Sequence, residues 1–154
     1  MFVIRRAGEH DLFRIRRLIK DAGLNDKGIE SNLLHFFVVE TASDQGESPQ
    51  MVGVVGMEVH GSIGLLRSFV LERASWIGKV GIKMMEILLA YAKKLGLTHV
   101  YLLAGASTSF FSELGFVEVA FADLPEVLKE SEHFERSLYK GTPMVYTRFS
   151  GDQS

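Results

Sequence analysis

The chain has 154 residues and contains no cysteine, only three prolines and no long uninterrupted apolar run. The lack of cysteine excludes disulfides, thiolate metal ligands and a cysteine nucleophile. A transmembrane helix needs about 20 consecutive apolar residues, so none is expected. The first residues, Met1–Arg6, have no apolar core of the signal-peptide kind. We therefore expect a soluble, cytoplasmic protein.

A strong charge of either sign is also missing. Seventeen basic and nineteen acidic side chains give a net charge of −2, and no basic stripe or charge block occurs. Neither nucleic acid nor a membrane surface is therefore expected as a partner. Four histidines lack the mutual spacing of metal ligands, so no metal is expected. These are His10, His35, His99 and His133.

What remains is an ordinary globular composition, because 47% of the residues are hydrophobic. A chain of this length and composition can bury the core of one domain. We predict a single domain over 1–154, in which 151–154 form a tail.

Hydrophobic periodicity alternates between the strand and the helix pattern along the chain. Strands are predicted at Phe2–Arg5, His35–Thr41, Met51–His60, Ile63–Leu71, His99–Leu103, Phe116–Ala120 and Met144–Phe149. Helices are predicted at His10–Ala22, Gly28–Leu34, Lys79–Leu95 and Ser107–Leu114, whereas Leu124–Ser137 is irregular or helical. The order β-α-α-β-β-β-α-β-α-β-β predicts an α/β fold with one mixed sheet and helices packed against it.

The segment ERASWIGKVGIKMM, Glu72–Met85, joins a predicted strand to the longest predicted helix. The first amides of a helix lack intrahelical partners and carry the positive end of the macrodipole, so they form an anion site. Gly78 and Gly81 allow close approach of the backbone, and Lys79 and Lys83 add positive charge. The alternative is that these glycines only begin a helix.

A second group of candidates lies in the two strands before this segment. Glu58 and His60 are two residues apart and share one strand face. A carboxylate in an apolar strand needs a partner or a chemical role, and histidine can accept a proton near neutral pH. Arg67, also among apolar neighbours, marks either a salt bridge to Glu58 or a ligand of a substrate carboxylate. The alternative for Glu58 and His60 is simple solvation at a strand end.

Two further phrases complete a pattern that covers nearly the whole chain. Phe110–Phe116 (FFSELGF) and Ile4–Ala7 (IRRA) with Asp11–Leu12 resemble segments of the GNAT superfamily of acetyl-CoA-dependent N-acetyltransferases. The resemblance runs over roughly residues 2–149. It looks closest to the branch with arsenic-resistance-type N-acetyltransferases and the acetyltransferase domain of N-acetylglutamate synthase. The residues behind that branch are Leu33–Val39, Val52–Ser68, Leu102–Phe116, Leu124–Glu126 and Phe134–Ser137.

The resemblance implies that the CoA pyrophosphate rests on the loop before the long helix. The family signature Arg/Gln-x-x-Gly-x-Gly/Ala falls on Trp76–Gly81, where only Gly81 fits and Trp76 and Lys79 are substitutions. Either the backbone amides still bind the phosphates or the site is weakened; we expect retained binding. The implied cofactor-binding residues are Ile77, Gly78, Lys79, Val80, Gly81 and Ile82 for the pyrophosphate, and Phe69, Val70 and Leu71 for the pantetheine arm.

Phe111 stands where many family members have a tyrosine near the departing sulfur. The resemblance implies that Phe111 belongs to the cofactor-binding residues, although phenylalanine cannot donate a proton and both Phe110 and Phe111 have the pattern of core residues. The general acid is then absent or supplied by water or Tyr139. Arg136 is implied near the acceptor pocket, and it joins Arg67 as a candidate substrate ligand.

The resemblance therefore implies an N-acetyltransferase that uses acetyl-CoA and acts on the amine of a small molecule, with an amino-acid-like compound as the candidate acceptor. We expect direct transfer of the acetyl group, with Glu58 and His60 as the candidate catalytic residues. A homodimer is compatible with the sequence. The alternative is a non-catalytic GNAT-fold module that binds CoA, another ligand or a partner through a degenerate loop.

Overall fold

Seven strands and five helices alternate along the chain in a computed structural model that describes residues 2–41, 46, 48–72, 77–105, 107–131 and 141–150. The strands are β1 (Phe2–Arg6), β2 (Phe37–Thr41), β3 (Gln50–His60), β4 (Ile63–Leu71), β5 (His99–Ala104), β6 (Val117–Glu118) and β7 (Thr142–Tyr146). The helices are α1 (Leu12–Asp21), α2 (Ile29–Asn32), α3 (Ile82–Lys94), α4 (Thr108–Leu114) and α5 (Glu126–Lys129).

One seven-stranded sheet has the order β1-β2-β3-β4-β5-β7-β6. Neighbouring strands β1–β2, β2–β3, β5–β7 and β6–β7 are antiparallel, whereas β4 and β5 are parallel over Ile63–Leu65 and His99–Tyr101. The predicted α/β fold with one mixed sheet is therefore confirmed. None of the described helices has the length and apolarity needed to cross a membrane.

The chain divides into two compact units. Unit 1 consists of Met1–Met57 and Ser68–Leu88, and unit 2 of Glu58–Arg67 and Leu89–Ser154. The single domain over 1–154 stays a prediction.

Unit 1 has a core in which helix α1 covers strands β2 and β3. Gly56 belongs to this contact, because a Cβ at this position would collide with the ring of Phe36. The apolar spacing of α1 that predicted a helix is the spacing that buries one face against the strands. The buried members of the cluster are Ile15, Leu18, Ile19, Ile29, Phe36, Val38, Met51 and Val54.

Unit 2 has an apolar cluster formed by Leu65, Tyr101, Leu124 and Leu128. A chain of aromatic contacts lies in the same unit, and successive ring centroids in it are 4.9–5.7 Å apart. Such edge-to-face and tilted pairs add about 0.5–1.5 kcal/mol each beyond their burial. The rings belong to Phe110, Phe111, Phe116, Tyr146 and Phe149.

Several predicted boundaries differ from the observed ones. The final strand begins at Thr142 rather than Met144, because Pro143 accepts a hydrogen bond from Val119 through its carbonyl even though it has no amide hydrogen. The second strand begins at Phe37, since Leu33–His35 form a 3₁₀ turn. Ser107 precedes α4 as expected but makes no side-chain cap bond.

Candidate functional site

Glu58, His60 and Arg67 form one hydrogen-bonded group in unit 2, here called the Glu58 cluster. His60 Nε2 lies 3.1 Å from Glu58 Oε1, and Arg67 donates from its guanidinium to Glu58 Oε2 at 3.1 Å. The carboxylate therefore joins the imidazole to the guanidinium, one oxygen to each.

A hairpin brings the three residues together. The two-residue connection Gly61–Ser62 joins β3 to β4, and Gly61 takes the left-handed conformation that such turns require, with φ of 64°. This connection places His60 opposite Ile63 and Glu58 opposite Leu65. Arg67, two residues beyond Leu65, is then on the same face as Glu58. The predicted shared face and the Glu58–Arg67 salt bridge both occur.

Solvent access increases along the cluster. The Arg67 side chain is 0% exposed, that of Glu58 is 7% exposed and that of His60 is 27% exposed. A buried guanidinium is costly without a carboxylate, so Arg67 and Glu58 hold each other in place. His60 is the member that reaches solvent, and a carboxylate orients its ring. This is the arrangement in which a base is oriented by a third group.

The end of β4 belongs to unit 1 and contains an unusual backbone conformation. Ser68 has a φ of 59° and is buried. A non-glycine residue in the left-handed region is uncommon and is frequently found at bulges and functional sites. Phe69, Val70 and Leu71, predicted to pair with the pantetheine arm, follow it and are half-buried.

The predicted pyrophosphate loop also lies in unit 1. Ile77–Gly81 form a π-helical turn that continues directly into α3 at Ile82. Because a π-helical amide bonds the carbonyl five residues earlier, the first amides of the turn have no intrahelical acceptor within it. Lys79 is exposed, and Lys83 lies 3.7 Å from Glu86. Amides and a lysine at a helix start fit a diphosphate in chemistry and charge.

Phe111 is buried in α4 and packs edge-to-face against Phe110 and Phe116. The core pattern of this residue is therefore confirmed, and its contact with a cofactor stays a prediction. Arg136, Tyr139 and Trp76 lie outside the described residues.

Unit 1 contains a second charged network, which the sequence analysis did not predict. Asp11 is fully buried and accepts two hydrogen bonds from Arg5, each 2.8 Å long, with a third from Arg14 and a fourth from the Gly8 amide, also 2.8 Å each. Arg5 also binds Glu40 at 3.0 and 3.1 Å. The signal was present in Arg5 and Asp11, which belong to the segments that resemble the family opening.

The electrostatics of this network follow from the pairing. Hydrogen bonds from Arg5 hold the pKa of Asp11 well below its usual range and lower the pKa of Glu40, although burial opposes both shifts. The same bonds raise the pKa of the Arg5 guanidinium above its usual range. Within the described part of the chain, no group of three or more histidine, aspartate or glutamate side chains could hold a metal ion.

The mixed sheet, its strand order and its helices define the class: the chain has the fold of the GNAT acetyltransferases. Neisseria gonorrhoeae N-acetylglutamate synthase, complexed with coenzyme A and N-acetyl-glutamate, superimposes with a TM-score of 0.76 at 18% identity over 96% of this chain. Since the match covers 35% of the synthase, the chain spans about a third of that protein's length.

Two similar structures match over nearly their full lengths. Mycobacterium tuberculosis Rv2747, in complex with CoA, has a TM-score of 0.75 and 22% identity over 94% of this chain and 98% of its own. An acetyltransferase of the GNAT family from Staphylococcus aureus Mu50 has a TM-score of 0.71 and 16% identity, over 96% and 99%. No family model matches the sequence, and no curated protein matches it.

Proposed function

We propose that the protein is an acetyl-CoA-dependent N-acetyltransferase that acetylates the amine of a small molecule of amino-acid type. The observation that carries the proposal is the Glu58 carboxylate, bonded on one side to buried Arg67 and on the other to half-buried His60. The amino-acid class of acceptor is supported by the synthase of similar fold, which was crystallised with CoA and N-acetyl-glutamate and also with CoA and L-arginine.

His60 is the proton acceptor in this proposal. An ammonium group must lose a proton before its nitrogen can attack a carbonyl carbon. When Nε2 carries the hydrogen and donates it to Glu58, Nδ1 is the nitrogen that accepts the proton. Glu58 then stabilises the imidazolium that forms, and Arg67 fixes the carboxylate in position. Glu58 and Arg67 are positioning residues, whereas His60 contacts the substrate.

Acetyl-CoA supplies the acetyl group as a thioester. The π-helical turn and the start of α3 hold the diphosphate through the amides of Ile77–Ile82, with Lys79 adding a positive charge. The backbone of Phe69–Leu71 pairs with the pantetheine arm, as the family resemblance implies. Transfer is direct, which suits a chain without cysteine. Arg136 remains the proposed ligand of the acceptor carboxylate.

The test is release of CoA from acetyl-CoA in the presence of each of the 20 amino acids and a set of simple amines, with mass spectrometry of the products. We expect an N-acetylated product with at least one amino acid. The proposal is wrong if no acceptor is acetylated and acetyl-CoA does not bind.

A second candidate function is a non-catalytic module that binds CoA or another ligand. It is favoured by Phe111, a buried side chain without a hydroxyl group at the position where the family resemblance implies a proton donor. Thermal unfolding separates the two, because a ligand at 100 times its Kd adds about 2.7 kcal/mol to stability. A shift with acetyl-CoA and no turnover favours the binding module.

A further inference from the structure

Tyr101 lies in β5 with 8% of its surface exposed, and among the described residues its hydroxyl has no hydrogen-bond partner. Its ring stacks on His99, with centroids 5.9 Å apart and planes 8° from parallel. The hydroxyl is not one of the enclosed polar atoms that lack a partner, so it reaches solvent although most of the ring is covered. Tyr101 therefore places a hydroxyl that reaches solvent at the end of a covered ring.

The position of Tyr101 follows from the strand register of unit 2. Leu65 of β4 pairs with Tyr101 of β5. On the opposite edge of β4, the hairpin described above places Glu58 of β3 beside the same Leu65. Directly opposed residues share a face, so Glu58, Leu65 and Tyr101 form one row across three strands. With strands about 4.8 Å apart, the Cα atoms of Glu58 and Tyr101 are roughly 10 Å apart.

Packing holds the ring of Tyr101 in place on that face. Leu65, Leu124 and Leu128 surround it in the apolar cluster of unit 2. Burial raises the pKa of Tyr101, so the hydroxyl keeps its proton at neutral pH and acts as a hydrogen-bond donor. A packed ring whose hydroxyl reaches solvent, on the same face as an oriented histidine, has the form of a substrate contact.

We propose that the Tyr101 hydroxyl binds the acceptor substrate by donating a hydrogen bond to an oxygen of that molecule, either a carboxylate or an amide carbonyl. The inference rests on the proposed function, in which the nitrogen of the same molecule is directed to His60. Tyr101 is then a specificity-determining residue, since it distinguishes amines with an oxygen acceptor from amines without one. Hydrogen-bonding sites discriminate strongly in this way because a missing partner leaves the site unpaired.

The test compares Tyr101→Phe with the wild type on three matched acceptors: the amino acid that the wild type acetylates fastest, its amide and its decarboxylated amine. For the amino acid, we expect KM to rise about tenfold or more, as loss of a hydrogen bond to a charged group implies, and for the neutral amide we expect a smaller rise. For the decarboxylated amine, KM stays within about twofold. If KM rises for the amino acid alone, the hydroxyl binds only a carboxylate oxygen. If KM rises for the amino acid and its amide, the hydroxyl also binds an amide carbonyl oxygen.

Stability provides the readout that separates binding from structure. Phenylalanine keeps the ring contacts, and no hydrogen bond within the described residues is lost, so the Tm of Tyr101→Phe should equal that of the wild type. Tyr146→Phe is the matched control, because this tyrosine packs against Phe116 and Phe149 in the aromatic chain. Its KM values should not change. A lower Tm for Tyr101→Phe, or equal effects on all three acceptors, overturns the inference.

Failure of the proposed function is recognised separately. If the wild type acetylates no acceptor, isothermal titration with L-glutamate, L-arginine and their decarboxylated amines still compares the two variants. Weaker binding of the amino acids to Tyr101→Phe, with the amines unaffected, supports the contact without any turnover. Unchanged binding, or no binding to either variant, rules the contact out.

Discussion

Each of the two units contains one arginine–carboxylate network, and the partners of the carboxylate oxygens differ between the two. In unit 1 both oxygens of Asp11 accept two hydrogen bonds each, and the donors are Arg5, Arg14 and the Gly8 amide. In unit 2 each oxygen of Glu58 has a single described partner, and one of these is the half-buried ring of His60. The first network is closed at its carboxylate, because each Asp11 oxygen accepts two hydrogen bonds and the exposed His10 lies only beside it, 3.5 Å from Asp11 Oδ1. In the second network the histidine is half-buried and is hydrogen-bonded to the carboxylate.

The difference separates an anchor from a candidate site. Arg5, Asp11 and Glu40 join β1, the turn before α1 and β2, so the closed network connects three elements of unit 1. In the Glu58 cluster, a buried ion pair between Glu58 and Arg67 fixes the position of one histidine ring. A network that holds a base in a fixed orientation has the features expected of a functional site.

The largest expected effect is on the closed network. Asp11→Asn keeps the side-chain volume but removes the charge that pairs with Arg5 and Arg14, so the free energy of unfolding should fall by about 3 kcal/mol or more. Urea denaturation measures the change. Glu30→Gln is the control, because Glu30 binds Arg16 at 2.6 Å but is 62% exposed, and the loss there should stay below about 1 kcal/mol. Equal losses would remove the distinction between a closed anchor and a surface pair.

The next largest effect is expected in the Glu58 cluster. His60→Gln should lower kcat by about 100-fold, because general-base assistance is lost, with little change in Tm. Glu58→Gln should lower both kcat and Tm, since it removes the negative charge that pairs with buried Arg67. Added imidazole should partly restore the activity of His60→Gln but not that of Glu58→Gln.

The control for this pair of variants is His10→Gln, at a histidine with 73% exposure in unit 1. It should keep wild-type kcat. If His60→Gln retains more than half of the wild-type activity, the Glu58 cluster is another anchor and the comparison between the networks fails.

The acid dependence of stability sharpens the comparison further. An unfolded chain takes up protons on Asp11 and Glu40 near pH 4, whereas the folded chain takes them up only at lower pH, because Arg5 lowers both pKa values. The unfolded state therefore binds more protons as the pH falls below about 5, and stability falls with it. Urea midpoints between pH 3 and 7 should show this decline, and Asp11→Asn should flatten it. An equal slope in the variant would assign the acid sensitivity to other carboxylates.

The sequence predicted the Glu58 cluster because its members are local. Glu58 and Arg67 are nine positions apart in the sequence, and a two-residue turn between two alternating strands is enough to place them on one face. The closed network was not predicted because Arg5 and Glu40 are 35 residues apart. Their contact depends on the pairing of β1 with β2, which no short pattern contains.

Two other features show where pattern reasoning ends. Tyr101 stands in a nearly continuous apolar strand, HVYLL. This pattern predicts only a core residue and does not show that its hydroxyl reaches solvent. The π-helical turn at Ile77–Gly81 differs from an α-helical turn by one residue in its hydrogen bonding, and apolar periodicity does not resolve that difference. The helix was therefore predicted to begin at Lys79, whereas α3 begins at Ile82 after the turn.

The smallest expected effect concerns the lysines of unit 1. Lys79→Ala should raise the Kd for acetyl-CoA about threefold to fivefold, because one exposed charge near a helix start contributes less than about 1 kcal/mol. Lys83→Ala should have a smaller effect, since Lys83 already lies near Glu86. Lys94→Ala, at the far end of α3, is the matched control and should leave Kd unchanged. The Lys79 effect should shrink between 50 and 500 mM salt, as screening requires. If Lys79→Ala binds like the Lys94 variant at both salt concentrations, the lysine at the position of the signature's first glycine contributes no charge, and any diphosphate binding by this turn rests on its amides alone.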